Sequence, residues 1–389
     1  MRRDRRSDAA PVLEVRTTAA RALRRGHPWA FKDQLTGAIP AAGDEVFLRD
    51  AQGPIGHGVA DPSSPIAVRV WTLGEARVDD ALAEDRVARA LAWRASLFGA
   101  DTTAYRLVHG EGDRAPGFVV DRYADVAVLR PDGDGAAARV PWFVRALWPA
   151  LRRIGVRALA LRAPGAEPRA IEGDVPDTID VVERGVPFRV DLRSGQKTGA
   201  FLDQRENRAR VRGLASGRRV LNLFSYAGGF SLSAALGGAT HTTSVDVAAR
   251  AHATAQQSFR LAGVDPAAHA FVTSDAFAFL EEARRKGERW DLVVSDPPSF
   301  APSEKAKAGA LASYRRLHRA CAAVLAPGGV LCAASCSSHV DEAAFVATLD
   351  DEALGRSDLS LRETFGPPAD HPCLPAWPEG RYLKFAVMS

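Results

Sequence analysis

Two side chains in the last third of this sequence stand where chemistry is done. Cys336 lies among Ser335, Ser337 and Ser338, just past the apolar run Val330-Leu331-Cys332-Ala333-Ala334; Asp296 follows Leu292-Val293-Val294-Ser295 and precedes Pro297-Pro298-Ser299-Phe300. A cysteine at a strand end is accessible as a nucleophile, and a thiolate can add to carbon 6 of a pyrimidine ring. That addition makes carbon 5 of cytosine nucleophilic, while a neighbouring carboxyl group hydrogen-bonds N3 and the exocyclic amine as charge develops. The paired prolines hold Asp296 in an extended turn and Phe300 is placed to stack on a planar ring, so Pro297, Pro298 and Phe300 read as the substrate wall. Plainer readings stand beside these: Cys336 as a small residue closing a strand, Asp296 as a loop cap. Removal of the carbon-5 proton needs a base, for which Asp296, a water and His339 all qualify.

Such a reaction needs a one-carbon donor, and the run Val220 to Ser231 reads as its site. An apolar strand enters Ser225-Tyr226-Ala227-Gly228-Gly229, where glycines allow close backbone approach and the next helix offers free N–H groups. Asn222, Phe224, Ser225, Tyr226 and Gly228 are the candidate contacts. Asp246 ends the following strand, where an acid accepts the ribose hydroxyls of an adenosine-containing cofactor. Asp275, ending the third strand, can accept the adenine amino group while Ala276 supplies a backbone N–H, although Asp275 equally suits a helix N-cap. The G-x-G-x-x-G of nicotinamide enzymes is absent. S-adenosylmethionine, with no pyrophosphate to cradle, fits this turn, and Asp296 borders the same site.

The elements that must position these groups follow from periodicity. Strands at 220–224, 242–246, 270–272, 292–295 and 330–334 alternate with helical segments, which predicts a mainly parallel, doubly wound α/β sheet of the Rossmann-like type with its ligands at the carboxyl ends. Upstream, Pro11 to Thr72 has short apolar runs between turn residues, a small β-rich module. A helix is expected over 78–97, a hairpin from Gly117–Tyr123 and Val126–Leu129, a helix over 142–154, and an exposed loop over 163–177. The expected domains are a disordered basic tail (1–10), the β-rich module (11–75), a central α+β domain (76–192) and the doubly wound domain (193–389).

The 389 residues carry a net charge of +4, and the pI near 9.0 suits a phosphate-bearing partner without proving one. No window reaches the roughly 18 to 20 apolar residues of a membrane span, which points to a cytoplasmic chain without a membrane partner. The four cysteines, Cys321, Cys332, Cys336 and Cys373, show no CxxC pairing, so neither a disulfide framework nor a metal site is expected.

Taken together, the motifs resemble those of the bacterial large-subunit (23S) ribosomal RNA 5-methylcytosine methyltransferases, from about Arg16 to Ser389. The resemblance rests on Arg24 to Phe31, Gly117 to Arg122, Gly195 to Arg205, Phe224 to Phe230, Asp296 to Phe300, Ser335-Cys336-Ser337, Asp370-His371-Pro372 and Pro378 to Lys384. It implies an N-terminal PUA domain, a central α+β domain and a class I methyltransferase domain. It further implies cofactor roles for Lys197, Thr198, Phe201, Asp203, Gln204 and Arg205, of which Asp203 would otherwise read as an N-cap. It gives Arg24, Arg25 and Trp29 a part in holding ribosomal RNA, whereas core packing is the plain reading of Trp29. The chain departs from the pattern in its arginine-rich upstream extension and in Ser299, which stands where a lysine is frequent.

Two other functions fit part of this pattern. Asp-Pro-Pro followed by an aromatic residue also suits methyl transfer to an exocyclic nitrogen, which needs no cysteine. An RNA-binding assembly factor could keep the fold without catalysis. A homodimer is open, since no exposed apolar stripe marks an interface.

Overall fold

The computed structural model describes residues 10–163, 165–301 and 303–389; the Arg2 to Arg6 run, read as a basic tail, lies outside the described residues. The chain forms two compact units. One is Met1–Asp177 with Leu192–Ser194 and Ala369–Gly380; the other is Thr178–Asp191, Gly195–Pro368 and Arg381–Ser389.

The first unit opens with strands β1 (Val12–Val15), β2 (Trp29–Phe31), β3 (Leu35–Thr36), β4 (Glu45–Asp50), β5 (Gly53–Ala60) and β6 (Ile66–Leu73), in the order β2-β6-β5-β4-β1-β3. Helix α1 (Thr17–Arg24) covers this sheet, and Leu13, Leu23, Val46, Leu48 and Val68 fill its core. A second sheet runs β11-β10-β9-β8-β7, from β7 (Ala104–His109), β8 (Phe118–Tyr123), β9 (Val126–Pro131), β10 (Ala158–Leu161) and β11 (Arg169–Glu172). Its helices are α2 (Asp80–Leu97), α3 (Asp134–Ala138) and α4 (Val140–Arg153). Helix α2 starts where the Asp79 carboxylate accepts the Leu82 N–H, and its Val87 and Leu91 share a core with Phe118 and Phe143, whose rings stack at 4.0 Å.

Strand β11 corrects the loop expected over 163–177. Arg169–Glu172 pairs antiparallel with β10 at the sheet edge, and four residues with two charges give no alternation from which to read a strand. Segment Ala369–Gly380 is tied in by Asp370, whose carboxylate accepts the Arg106 N–H at 3.0 Å and whose carbonyl accepts Arg94 Nη2 at 2.6 Å. Arg94 in turn grips Asp113 through two bonds of 2.7 Å.

The second unit begins with the hairpin β12 (Thr178–Glu183) and β13 (Val186–Asp191). The boundary expected at 193 is therefore displaced, because Val186 packs with Leu232 and Phe259 and the Arg189 N–H donates to Ser258 Oγ at 3.1 Å. The main sheet contains β14 (Arg219–Leu223), β15 (His241–Asp246), β16 (Ala270–Thr273), β17 (Trp290–Ser295), β18 (Leu325–Ser335), β19 (Leu361–Phe365) and β20 (Lys384–Met388). Their order is β16-β15-β14-β17-β18-β20-β19; the first five are parallel, β20 runs antiparallel to β18, and β19 pairs antiparallel with β20. Helices α5 (Arg205–Leu214), α6 (Gly229–Leu236), α7 (Ala249–Leu261), α8 (Ala276–Lys286), α9 (Lys307–Ala323), α10 (Glu342–Val346) and α11 (Asp351–Leu354) accompany it.

The doubly wound sheet expected from the sequence is thus present. Leu221, Val293, Tyr314 and Leu331 build one core, and Val220, Leu292, Val294, Cys332 and Phe385 another. The order reverses between β14 and β17, so their carboxyl ends open a crevice for ligands. Among the described residues no helix is long and apolar enough to cross a membrane.

Candidate active site

The turn after β14 is backbone under tension. Phe224, Tyr226 and Gly228 all have positive φ, at 56°, 45° and 72°, a conformation costly for the two aromatic residues and kept only where surroundings impose it. Asp246, at the end of β15, imposes it: one carboxylate oxygen accepts the Tyr226 N–H at 2.7 Å and the other the Ala248 N–H at 2.8 Å. Gly228 is the N-cap of α6, and a Cβ there would lie 2.8 Å from the Ala255 methyl. Tyr226 stitches a second segment to this turn, its hydroxyl accepting the Gln196 N–H at 2.9 Å and its ring meeting Phe201 edge-on.

That second segment carries the charged cluster. Lys197, itself at positive φ, donates to Asp203 at 2.8 Å and sits over the Phe201 ring at 4.4 Å. Asp203 is buried and also accepts the Tyr382 hydroxyl at 2.9 Å. Arg208 grips Glu183 with bonds of 2.7 and 2.6 Å and donates to the Phe201 carbonyl at 3.0 Å.

Asp296 and Cys336 join this cluster from the ends of β17 and β18. Burial and the negative charge of Asp203 push the Asp296 carboxyl up to about 7, against the pull of Lys197, Arg208 and a hydrogen bond from Gln204. Burial, then Asp296, pushes the Cys336 thiol up to about 11, with Lys197 opposing. Behind the cysteine, Tyr314 donates to Ser335 Oγ at 2.9 Å and lies 3.2 Å from Ser337 Oγ, which meets Ser299 Oγ at 2.9 Å. Lys384 is buried, and its ammonium donates to the carbonyls of Ser337 (2.5 Å), Val340 (2.6 Å) and Tyr382 (2.7 Å). Desolvation pushes its pKa down to about 8.

Lys197, Phe201, Asp203, Gln204, Tyr226, Asp246, Asp296 and Cys336 are therefore the expected residues that the fold links through these contacts and charges. Thr198 is buried in the same segment. The remaining expected residues make further contacts. Asn222 is fully buried in β14 and donates to Ser231 Oγ on α6 at 3.0 Å, while its Oδ1 has no hydrogen-bond partner among the described residues. Arg205 is buried and paired with Glu206. Phe300 packs on the Tyr314 ring at 4.9 Å, and of the prolines only Pro298 is exposed. Asp275 caps α8 by accepting the Ala278 N–H, as its plainer reading had it; Ala276 opens that helix, where an N–H has no intrahelical partner. His339 is a surface residue facing Glu304 at 3.4 Å.

In the first unit, Arg24, its side chain 31% exposed, is held by Asp50 through bonds of 2.8 and 2.6 Å, and Arg25 is exposed. Trp29 meets Trp377 edge-on at 5.2 Å and donates to Glu111 at 2.8 Å. Sequence reasoning assigned no role to Arg208, Tyr314, Tyr382 or Lys384. A lysine at the head of the apolar strand Phe385-Ala386-Val387-Met388 was the one local signal.

The site fits an adenosine-bearing sulfonium. Ser225 Oγ is buried with no hydrogen-bond partner among the described residues, Asp246 keeps lone pairs beyond the two it uses, and the strained turn holds backbone at the sheet's ligand edge.

Comparison with known proteins agrees. The S-adenosylmethionine-dependent methyltransferase family model matches residues 151–375, and a PUA-like domain model matches residues 13–73. A protein of Deinococcus radiodurans named ribosomal RNA large subunit methyltransferase is 40% identical over 97% of both chains. One of Klebsiella pneumoniae, named ribosomal RNA large subunit methyltransferase I, is 35% identical over 96% of this chain and 97% of its own. A Streptococcus mutans structure described as a S-adenosylmethionine-dependent methyltransferase shares the fold, with TM-score 0.87 and 24% identity over 97% of this chain and 99% of that one.

Proposed function

Because this chain belongs to the S-adenosylmethionine-dependent methyltransferases with an N-terminal PUA-like domain, and relatives of 35% to 40% identity are named ribosomal RNA large subunit methyltransferases, we propose that it methylates carbon 5 of a cytosine in large-subunit (23S) ribosomal RNA through a covalent bond from Cys336 to carbon 6. The observation that carries this reading is the position of Cys336 and Asp296 at the ends of adjacent parallel strands, inside one charge cluster.

The chemistry follows from their protonation states. At neutral pH Cys336 is a thiol, so it loses its proton to solvent as sulfur bonds to carbon 6. With its carboxyl near 7, Asp296 is available in its acid form to protonate N3, which receives the electron pair displaced from the ring. Bound S-adenosylmethionine supplies an electrophilic methyl group, and Lys197, Phe201, Asp203 and Tyr226, with the Asp246-pinned turn, hold that side of the crevice. After transfer, carbon 5 gives up its proton, the carbon–sulfur bond breaks and returns its electron pair to sulfur, and the proton on N3 is released to solvent, which restores the neutral ring. Asp296, left as a carboxylate, is the proton acceptor at this site; His339, turned to Glu304 at the surface, is not.

Incubating the protein with labelled S-adenosylmethionine and undermethylated large-subunit ribosomal RNA, then mapping the product, tests this reading. The expected product is 5-methylcytosine. Full transfer by Cys336→Ala would instead favour an exocyclic nitrogen, the reading that needs no thiol.

A further inference from the structure

A cavity of about 260 Å³ lies wholly within the first unit, lined by His27, Thr72, Arg86, Glu111, Arg114 and Pro116 among others. It is smaller than the roughly 300–1,000 Å³ pockets that enclose drug-sized ligands, which suits one small group. Arg86, from the second turn of α2, has a side chain only 18% exposed, and its Nε is buried without a hydrogen-bond partner among the described residues. Its nearest carboxylate, Asp85, stands 3.9 Å away and holds Arg89 more closely, at 2.8 Å. Glu111, which also lines the cavity, is already engaged at Oε1 by Arg69 and the Trp29 indole.

Arg114 brings a second cation to the same cavity. Its backbone is left-handed at φ 55°, and its guanidinium reaches 3.6 Å from where a side chain on Gly26 would begin; Gly26, at φ 101°, leaves that space open. Burial makes the charge of Arg86 costly; Asp85 offsets part of this, and the like charges of Arg89 and Arg114 add to it. Two arginines with so little opposing charge, one with a desolvated and unused donor, form a site that is complete only when an anion enters. Guanidinium forks match the oxygens of a phosphate ester.

We infer that this cavity binds a phosphate group through Arg86 and Arg114. The source that the proposed function supplies is the RNA backbone, and to that extent the inference rests on that reading; free phosphate shares the same chemistry.

The test uses the full chain with labelled single-stranded RNA of large-subunit ribosomal sequence, its affinity measured by anisotropy across a series of potassium chloride concentrations. Arg86→Gln and Arg114→Gln should each weaken binding about 3- to 10-fold and flatten the logarithmic salt slope by about 0.7. Arg86→Gln should keep or raise the thermal midpoint, since it removes a buried uncompensated charge, and both variants should bind S-adenosylmethionine like the parent. A structural arginine would lower the midpoint instead. In a parallel arm, inorganic phosphate is titrated calorimetrically; heat lost in both variants with unchanged RNA binding assigns the site to free phosphate. Parental behaviour of both variants in both arms overturns the inference. A parent that binds RNA through these arginines but methylates none overturns the proposed function alone.

Discussion

Asp296 makes Cys336 harder to ionise: the carboxylate at the end of β17 and the thiol at the end of β18 share one partly desolvated space, and the thiol stands near 11 while the acid stands near 7. The acid therefore changes charge near neutrality while the thiol remains protonated. Lys197 opposes both shifts, so that single cation links the two groups.

If the proposed covalent step holds, Cys336→Ala lowers methyl transfer by about 10³-fold or more, since it removes the attacking sulfur. Thermal stability should change little, because Cys336 is only partly buried. A denaturation-resistant protein–RNA adduct formed with 5-fluorocytosine RNA should be present with the parent chain and absent with the variant.

Asp296→Asn removes a negative charge that raises the thiol pKa. Alkylation of Cys336 by iodoacetamide, followed site by site with mass spectrometry, should therefore start at lower pH in the variant. Cys321 and Cys332, fully buried and pushed up to about 12, serve as unreactive internal controls. An unchanged alkylation profile would separate the two groups electrostatically.

Gly228→Ala places a side chain at φ 72° and 2.8 Å from the Ala255 methyl. The left-handed conformation alone costs about 1–2 kcal/mol, and relief of the clash must move α6 or α7. Affinity for S-adenosylmethionine, measured by calorimetry, should fall about 10-fold.

Acid stability should depend on His318. It is fully buried, faces the Thr348 carbonyl at 3.1 Å, and burial pushes its pKa from 6.5 down to about 4. Between those values the unfolded chain takes up a proton that the folded chain refuses, so stability is complete above about 6.5 and falls with decreasing pH. The loss amounts to about 3 kcal/mol by pH 4. Urea midpoints at pH 7 and pH 5 should differ less in His318→Gln than in the parent.

Much of the second unit is legible in the sequence because parallel strands buried on both faces read as unbroken apolar runs, and a polar residue ending such a run falls at the ligand edge. Asp246, Asp296 and Cys336 stand at or just past such ends. Partners apart in the chain leave no local mark: neither the Arg24–Asp50 pair nor the bond from Asn222 to Ser231 can be read from periodicity. Tyr382 reaches Asp203 across nearly half the chain, and Lys384 acts on carbonyls of a different loop. Such pairings are products of topology, whereas periodicity reports only which face of an element is buried.

The chain passes between its two units at 177/178, 191/192, 194/195, 368/369 and 380/381. No single break in the gene can separate them. A recombination event that replaced residues up to 177 as a block would leave Ala369–Gly380 on the far side of the splice, and the new Arg94 and Arg106 would have to accept the old Asp370. Exchange of either unit by a single crossover would therefore break these contacts, so a chimaera needs at least the matching Ala369–Gly380 segment from the same source.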